Sequence, residues 1–294
     1  ARKGAVTGLA LQWWLQQLAP HARPNRHIIG VTGPPGCGKS TLIARLLREY
    51  RAAGHRVAVL AVDPSSPRTG GSLLGDRARI DPQPGDSGVF IRSMAAGPHL
   101  GGLTQRARHC LAVFEAAYDR ILIETTGVGQ SETEIENVAD TVVFVVQPGS
   151  GDSLQFIKAG IMEIPHVLVV NKADQRPAAI KAINELEGAL RERDGWTPAV
   201  VAVSARDGWG HPQLLKMVEE HFAFLGPAGL ARRRRAHRVQ WTFVLFREAF
   251  GSYGVGLLGG ERQIRQRLEA VESDPCSLLP LLALEVVTRP TAAP

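Results

Sequence analysis

The chain has 294 residues, of which 44% are hydrophobic and 21% charged. That composition supports a full core and excludes a disordered chain, and no apolar run approaches the ~20 residues that cross a bilayer. A net charge of +6 and a pI of about 9.6 admit an acidic or phosphate-rich ligand without requiring one.

The first predicted element is a short amphipathic helix over 8–19. Gln12, Gln16 and Gln17 interrupt its apolar run, so it is not a signal-peptide core. The chain opens ARKG without an initiator Met and reads as processed, trimmed or engineered at its start. PHARPN (20–25) breaks the helix. HIIGVTG (27–33) is a strand running into a Gly-Pro turn, and STLIARLLREYRAAG (40–54) is an amphipathic helix. RVAVLAV (56–62) is the next strand, and VFIRSM (89–94) is a weaker one. LTQRARHCLAVFEAAY (103–118) is a helix. RILIET (120–125), TVVFVVQPG (141–149) and HVLVVNKAD (166–174) are strands ending in polar loops. Then come a helix over 176–193, a strand over 198–205 and a helix over 211–225.

Near-continuous Val/Ile/Leu strands alternating with helices predict an α/β fold, a mostly parallel sheet with helices on both faces. Three regions follow: an N-terminal helical segment (1–26), a main domain (27–225) and an α-helical C-terminal extension (226–294). The extension looks too small to hold a core of its own. Its run ARRRRAHR (231–238), with five arginines, reads as a solvated helix face or linker. Nucleic acid is the sharper alternative, but no aromatic-interleaved basic patch supports it. Cys37, Cys110 and Cys276 are far apart and show no metal spacing, which suggests a reducing compartment. The nine histidines show no ligand pairing.

Each motif sits just after a strand, where open α/β sheets bind ligands. GPPGCGKS (33–40) fits the phosphate-loop pattern and has the required strand before it and helix after it. Glycines 33, 36 and 38 would let backbone N–H groups face phosphate oxygens at the positive end of the helix. The candidate nucleotide-binding residues here are Gly33, Pro34, Pro35, Gly36, Cys37, Gly38, Lys39, Ser40 and Thr41. Lys39 would bridge the β- and γ-phosphates, and Ser40 would give a hydroxyl ligand to Mg²⁺. Cys37 reads as a small tolerated side chain, with a redox switch as the unsupported alternative.

NKAD (171–174) selects the base. Asp174 can accept two hydrogen bonds from a guanine, whereas adenine would leave it unsatisfied at roughly 1–3 kcal/mol. Asn171 would tie this loop to the phosphate loop, and the Lys172 stem could cover the base. In SAR (204–206), formed by Ser204, Ala205 and Arg206, the backbone N–H of Ala205 could read the guanine carbonyl. The three motifs in this order point to GTP and GDP with Mg²⁺.

DPSSPRTGGSLLGD (63–76), ETTGVGQSE (124–132), PGSGDSLQFIKAG (148–160) and NKAD together resemble the MeaB/ArgK/MMAA family of GTPases over about residues 27–225. The family's fold is of the P-loop NTPase, SIMIBI-like class that includes signal-recognition and MinD-like proteins. The resemblance implies a cytoplasmic bacterial GTPase acting as a chaperone of an adenosylcobalamin-dependent acyl-CoA mutase. It also implies a homodimer formed through the C-terminal extension, with no nucleic acid or membrane partner. By this resemblance Asp63 and Asp76 bracket the first switch and approach Mg²⁺, and Glu124 is a metal-approaching acid. Gly127 would sense the γ-phosphate, and Lys158 matches the lysine of partner-stimulated hydrolysis. The residue after Gly127 is Val128 rather than a water-orienting glutamine, so hydrolysis is expected to be slow until a partner stimulates it. The rivals are a metal-insertion GTPase of the hydrogenase or urease type and a kinase of a periplasmic transport system.

Overall fold

The computed structural model describes residues 18, 21–63, 85–95, 105–125, 131–149, 163–204 and 206–288. The elements in chain order are β1 (His27–Thr32), α1 (Lys39–Ala52), β2 (Val57–Asp63), β3 (Val89–Ala95), α2 (Gln105–Ala117), β4 (Arg120–Glu124), α3 (Ser131–Glu136) and β5 (Thr141–Val146). They continue with β6 (Val167–Val170), α4 (Arg176–Ala189), β7 (Ala199–Ala202), α5 (His211–Leu257), α6 (Glu261–Ala270), a 3₁₀ turn (Pro275–Leu278) and α7 (Leu279–Thr288). The predicted helix over 8–19 lies outside the described residues apart from Leu18.

All seven strands pair in parallel, in the order β3-β2-β4-β1-β5-β6-β7. β1 is central, and the chain leaves it to opposite sides, toward β2 first and toward β5 later. That makes its carboxyl end a switch point where a crevice opens for ligand. Alternate residues of each strand bury on opposite faces. Ile29, Val31, Val57, Val59, Leu122, Val143 and Val145 pack with Leu42, Leu46 and Tyr50 of α1 and with Leu214 and Val218 of α5. On the other face, Ile28, Leu60, Ile121, Ile123 and Val142 meet Ala107, Leu111 and Phe114 of α2 and Ile135 of α3. Phe144, Val146, Leu168 and Val170 cover Ala179, Ala182 and Leu186 of α4. Burial on both faces explains why these strands read as unbroken apolar runs rather than alternating ones.

The strands stop where the apolar runs give way to the predicted polar loops. β5 ends at Val146 and β6 at Val170, because the polar residues beyond turn out of the sheet and Lys172 takes a left-handed backbone (φ 57°). At the amino ends of the strands a polar network is buried. His27 Nε2 lies 2.7 Å from Thr141 Oγ1, which lies 2.8 Å from His221 Nδ1. Glu219 of α5 accepts from Tyr50 (2.8 Å) and from Arg120 (3.0 Å).

Two compact units are present, divided between Gly226 and Pro227. α5 runs on well past 225, where the sequence predicts its end. Gly226 (φ 55°) leaves the α path for one residue, and Pro227 needs no N–H partner when a helical run resumes. The expectation that the C-terminal segment lacks its own core is overturned. Val239, Phe243, Phe246, Leu258, Ile264, Leu268, Leu279 and Leu282 form a separate buried cluster. WTFVLFREAF supplies the two phenylalanines of this cluster, Phe243 and Phe246, and Ile264, Leu268 and Leu282 from later in the chain belong to it as well. The arginine run is not simply solvated either. Arg235 donates to the carbonyls of Glu269 (3.0 Å), Val271 and Ser273 (3.2 Å), which satisfies the carboxyl end of α6. Among the described residues no helix is long and apolar enough to cross a membrane.

Candidate functional site

The site is built on the carboxyl ends of β1, β4, β5, β6 and β7. At the exit of β1, Gly33 has φ 140° and faces β5 so closely that a Cβ would collide with the Val145 carbonyl oxygen. Gly38 (φ 93°) leaves room for the Asn171 amide, which a Cβ would displace. Only glycine meets both demands, so the loop can close and α1 can begin at Lys39. Pro34 is buried in this loop, Pro35 and Gly36 are exposed, and Thr41 is exposed on the first turn of α1.

Lys39 is 7% exposed, and its ammonium donates to the carbonyls of Gly33 (2.8 Å) and Pro34 (2.9 Å). These partners carry no formal charge, so a buried cation faces the loop with its charge available to an anion. The Cys37 side chain is fully buried in the core, and burial pushes its thiol up from the ordinary value. A buried thiol kept protonated is a poor nucleophile. Cys37 contributes its backbone instead, since its carbonyl accepts from Asn171 Nδ2 at 2.7 Å.

Ser40 Oγ donates to Glu124 Oε1 at 2.7 Å, and Glu124 is 6% exposed. Register explains the meeting. Glu124 pairs with Val31 of β1 on one side and with Ala61 of β2 on the other. Asp63, which ends β2, is therefore two residues beyond Ala61 along the neighbouring strand. Next to Glu124, Thr125 donates to Thr32 Oγ1 at 2.8 Å, joining the exits of β4 and β1. Two hard oxygen donors, the Ser40 hydroxyl and the Glu124 carboxylate, fit a magnesium ion beside the phosphate loop. Asp76, Gly127, Lys158 and Ala205 lie outside the described residues, and so does the side chain of Asp63.

The base loop is anchored at three points. Asn171 N–H bonds the Val146 carbonyl (2.9 Å), and Ala173 N–H bonds the Val203 carbonyl (3.0 Å). Lys172 Nζ donates to Gly36 O (2.8 Å) and to Gln147 Oε1 (2.6 Å). Asp174 is left exposed after this anchored turn. In the last loop Ser204 donates to Asp207 Oδ2 (2.8 Å). The Ser204 hydroxyl and Arg206 lower the Asp207 carboxyl, while Asp207 and then Asp174 raise the Arg206 guanidinium. The Ala173 N–H bond to the Val203 carbonyl joins the segments that follow β6 and β7. An exposed carboxylate one anchored loop away from a phosphate cradle fits a guanine nucleotide.

Three participants escape motif reading: Gln147, Thr125 and Asp207. Gln147 follows β5 with no pattern of its own. Thr125 stands inside ETTGVGQSE and Asp207 directly follows SAR, but only the fold shows what they hold.

The comparisons with known proteins agree with this geometry. A family model described as methylmalonyl Co-A mutase-associated GTPase MeaB matches residues 9–253. A protein of Pyrococcus horikoshii that carries the name of a GTPase is 46% identical over 222 residues, 74% of this chain and 70% of its own. The GTPase ArgK of Escherichia coli is 38% identical over 257 residues, 85% of this chain and 78% of its own. The mitochondrial methylmalonic aciduria type A homolog of Mus musculus is 36% identical over 241 residues, covering 79% of this chain and 58% of that protein. A crystal structure described as an LAO/AO transport system kinase superposes with a TM-score of 0.65 at 28% identity, covering 98% of this chain and 94% of that one. The phosphate loop, the guanine-type base loop and these matches converge: the chain belongs to the MeaB family of methylmalonyl-CoA mutase-associated GTPases and is a GTP hydrolase.

Proposed function

We propose that this protein is a Mg²⁺-dependent GTPase that gates adenosylcobalamin loading, protection and repair of an acyl-CoA mutase of the methylmalonyl-CoA type. The observation that carries the reading is the match of residues 9–253 to a family described by its association with that mutase. Lys39 binds the β- and γ-phosphates and stabilises charge on the transferring group. Ser40 and Glu124, with Asp63 and Asp76 from the first switch, hold the magnesium ion. When bound, the ion supplies charge neutralisation between the phosphates. Gly127 orients the γ-phosphate through its N–H, and water takes the phosphoryl group to leave GDP. Asp174 and the Ala205 N–H select guanine. Lys158 accelerates hydrolysis when the mutase docks. Two copies associate through the segment from residue 226, where Leu281, Leu284 and Val287 are exposed on α7, and the protein works in the bacterial cytoplasm.

The test is GTP turnover with Mg²⁺, alone and with a panel of purified acyl-CoA mutases. A slow basal rate that rises sharply with one mutase supports the reading and identifies the partner. A fast rate indifferent to every mutase removes it.

A second reading has one observation in its favour, the fold shared with a structure described as a transport system kinase. It requires a phosphoryl acceptor other than water. Transfer of label from γ-³²P-GTP to a protein or small molecule would select it.

A further inference from the structure

Gln147 has no place in any nucleotide motif, yet it stands where three loops of the site meet. It follows the last residue of β5 and precedes Pro148 and Gly149 (φ 78°). Its amide oxygen accepts from the Lys172 ammonium at 2.6 Å, and the same ammonium donates to Gly36 of the phosphate loop at 2.8 Å. One residue earlier, the Val146 carbonyl accepts from the Asn171 N–H at 2.9 Å. The exit of β5 therefore grips the base loop by main chain at Asn171 and by side chain at Lys172.

The grip has work to do. Lys172 is a non-glycine residue held at φ 57°, a backbone region that persists only where surrounding contacts impose it. Its ammonium is shared between a backbone carbonyl and a side-chain amide, and hydrogen bonds to a charged donor are among the stronger ones. Removing the amide oxygen leaves the Gly36 carbonyl as the one remaining acceptor in this pair of contacts. The long, flexible lysine stem is then free to swing, and the link between the base loop and the phosphate loop slackens.

We infer that Gln147 is a positioning residue for the guanine nucleotide, acting through Lys172 to lock the base loop onto the phosphate loop and slow nucleotide release. The inference rests on the guanine-nucleotide reading of the site.

The experiment follows release of N-methylanthraniloyl-GDP from the full chain by fluorescence after chase with excess GDP. Gln147→Met keeps the length of the side chain and removes the acceptor. It should release the analogue about tenfold faster or more. Gln147→Glu keeps an acceptor and should release near the wild-type rate. Lys172→Met should release fast, and Gln147→Met added to it should change nothing further, because the two residues act as one pair. A purely structural role for Gln147 would instead multiply with the lysine substitution. Wild-type release by Gln147→Met, or multiplied effects in the double variant, overturns the inference. Should the methionine variant fail to fold, Gln147→Ala takes its place in the same cycle. A wild-type chain that binds no GDP analogue would instead overturn the nucleotide reading itself.

Discussion

The Ser40 hydroxyl reaches Glu124 at 2.7 Å across 84 residues of sequence. The contact exists because β4 lies beside β1 and brings Glu124 level with Val31 at the mouth of the phosphate loop. If both oxygens serve Mg²⁺, Ser40→Ala and Glu124→Gln should each lower the GTP turnover rate by about 100-fold. Titration of turnover with MgCl₂ should show half-saturation shifted to higher metal. GDP binding measured in EDTA should change little. Turnover and metal dependence equal to wild type in Glu124→Gln would exclude it from the metal site.

Asp174 stands exposed at the end of the anchored base loop. Asp174→Asn replaces one acceptor with a donor, so guanine loses a hydrogen bond and meets a mismatched group. GTP affinity should fall by roughly 10- to 100-fold. Xanthosine triphosphate, which carries a carbonyl where guanine carries its amino group, should gain. Competition binding with the three nucleotides GTP, XTP and ATP reads this directly. An unchanged order of preference would mean that the base is read elsewhere.

Glu219 links α5 to the amino ends of the strands. Burial alone would raise its carboxyl, but His27, Arg120 and the Tyr50 hydroxyl outweigh it and hold the group at about 2, against an ordinary 4.5. A carboxylate depressed on folding stabilises the native state above its unfolded value. That contribution is complete above pH 4.5 and is lost as pH falls toward 2. His27 acts in the same direction. Burial lowers it from 6.5, so the unfolded chain takes up a proton first as pH drops below 6.5. Stability by urea unfolding should therefore fall from pH 6.5 downward and steepen below 4.5. Glu219→Gln should cost roughly 1–3 kcal/mol at neutral pH and flatten the lower limb. An unaltered acid limb in that variant would dissociate Glu219 from the effect.

Arg235 bonds three carbonyls at the end of α6. Arg235→Ala should destabilise the C-terminal unit by about 1 kcal/mol, because three carbonyls at the end of α6 lose one charged donor. Arg232→Ala, an exposed member of the same run, should stay within about 0.5 kcal/mol of wild type. Thermal unfolding of the two variants side by side makes the comparison. Equal effects would mean that the whole run is solvated.

Periodicity and punctuation carry much of the fold. Among the described strands, β2, β5 and β6 are apolar runs that stop at polar residues. GPPGCGKS, NKAD and SAR stand at strand ends in the order that a guanine nucleotide site requires. These signals are local. Their residues act through backbone geometry, a buried face or a motif spacing that neighbouring positions dictate.

The sequence by itself determined the parallel α/β class, the phosphate loop and the guanine-type base loop, because each depends on residues adjacent along the chain. Only the tertiary structure decided the strand order that sets Glu124 against Ser40. It alone brought Gln147 to Lys172, turned Arg235 into a cap for α6 and gathered a separate core from Phe243 to Leu282. Those contacts join residues from 25 to 84 positions apart. Their pairing is selected by sheet register and by shared burial, which no local pattern encodes.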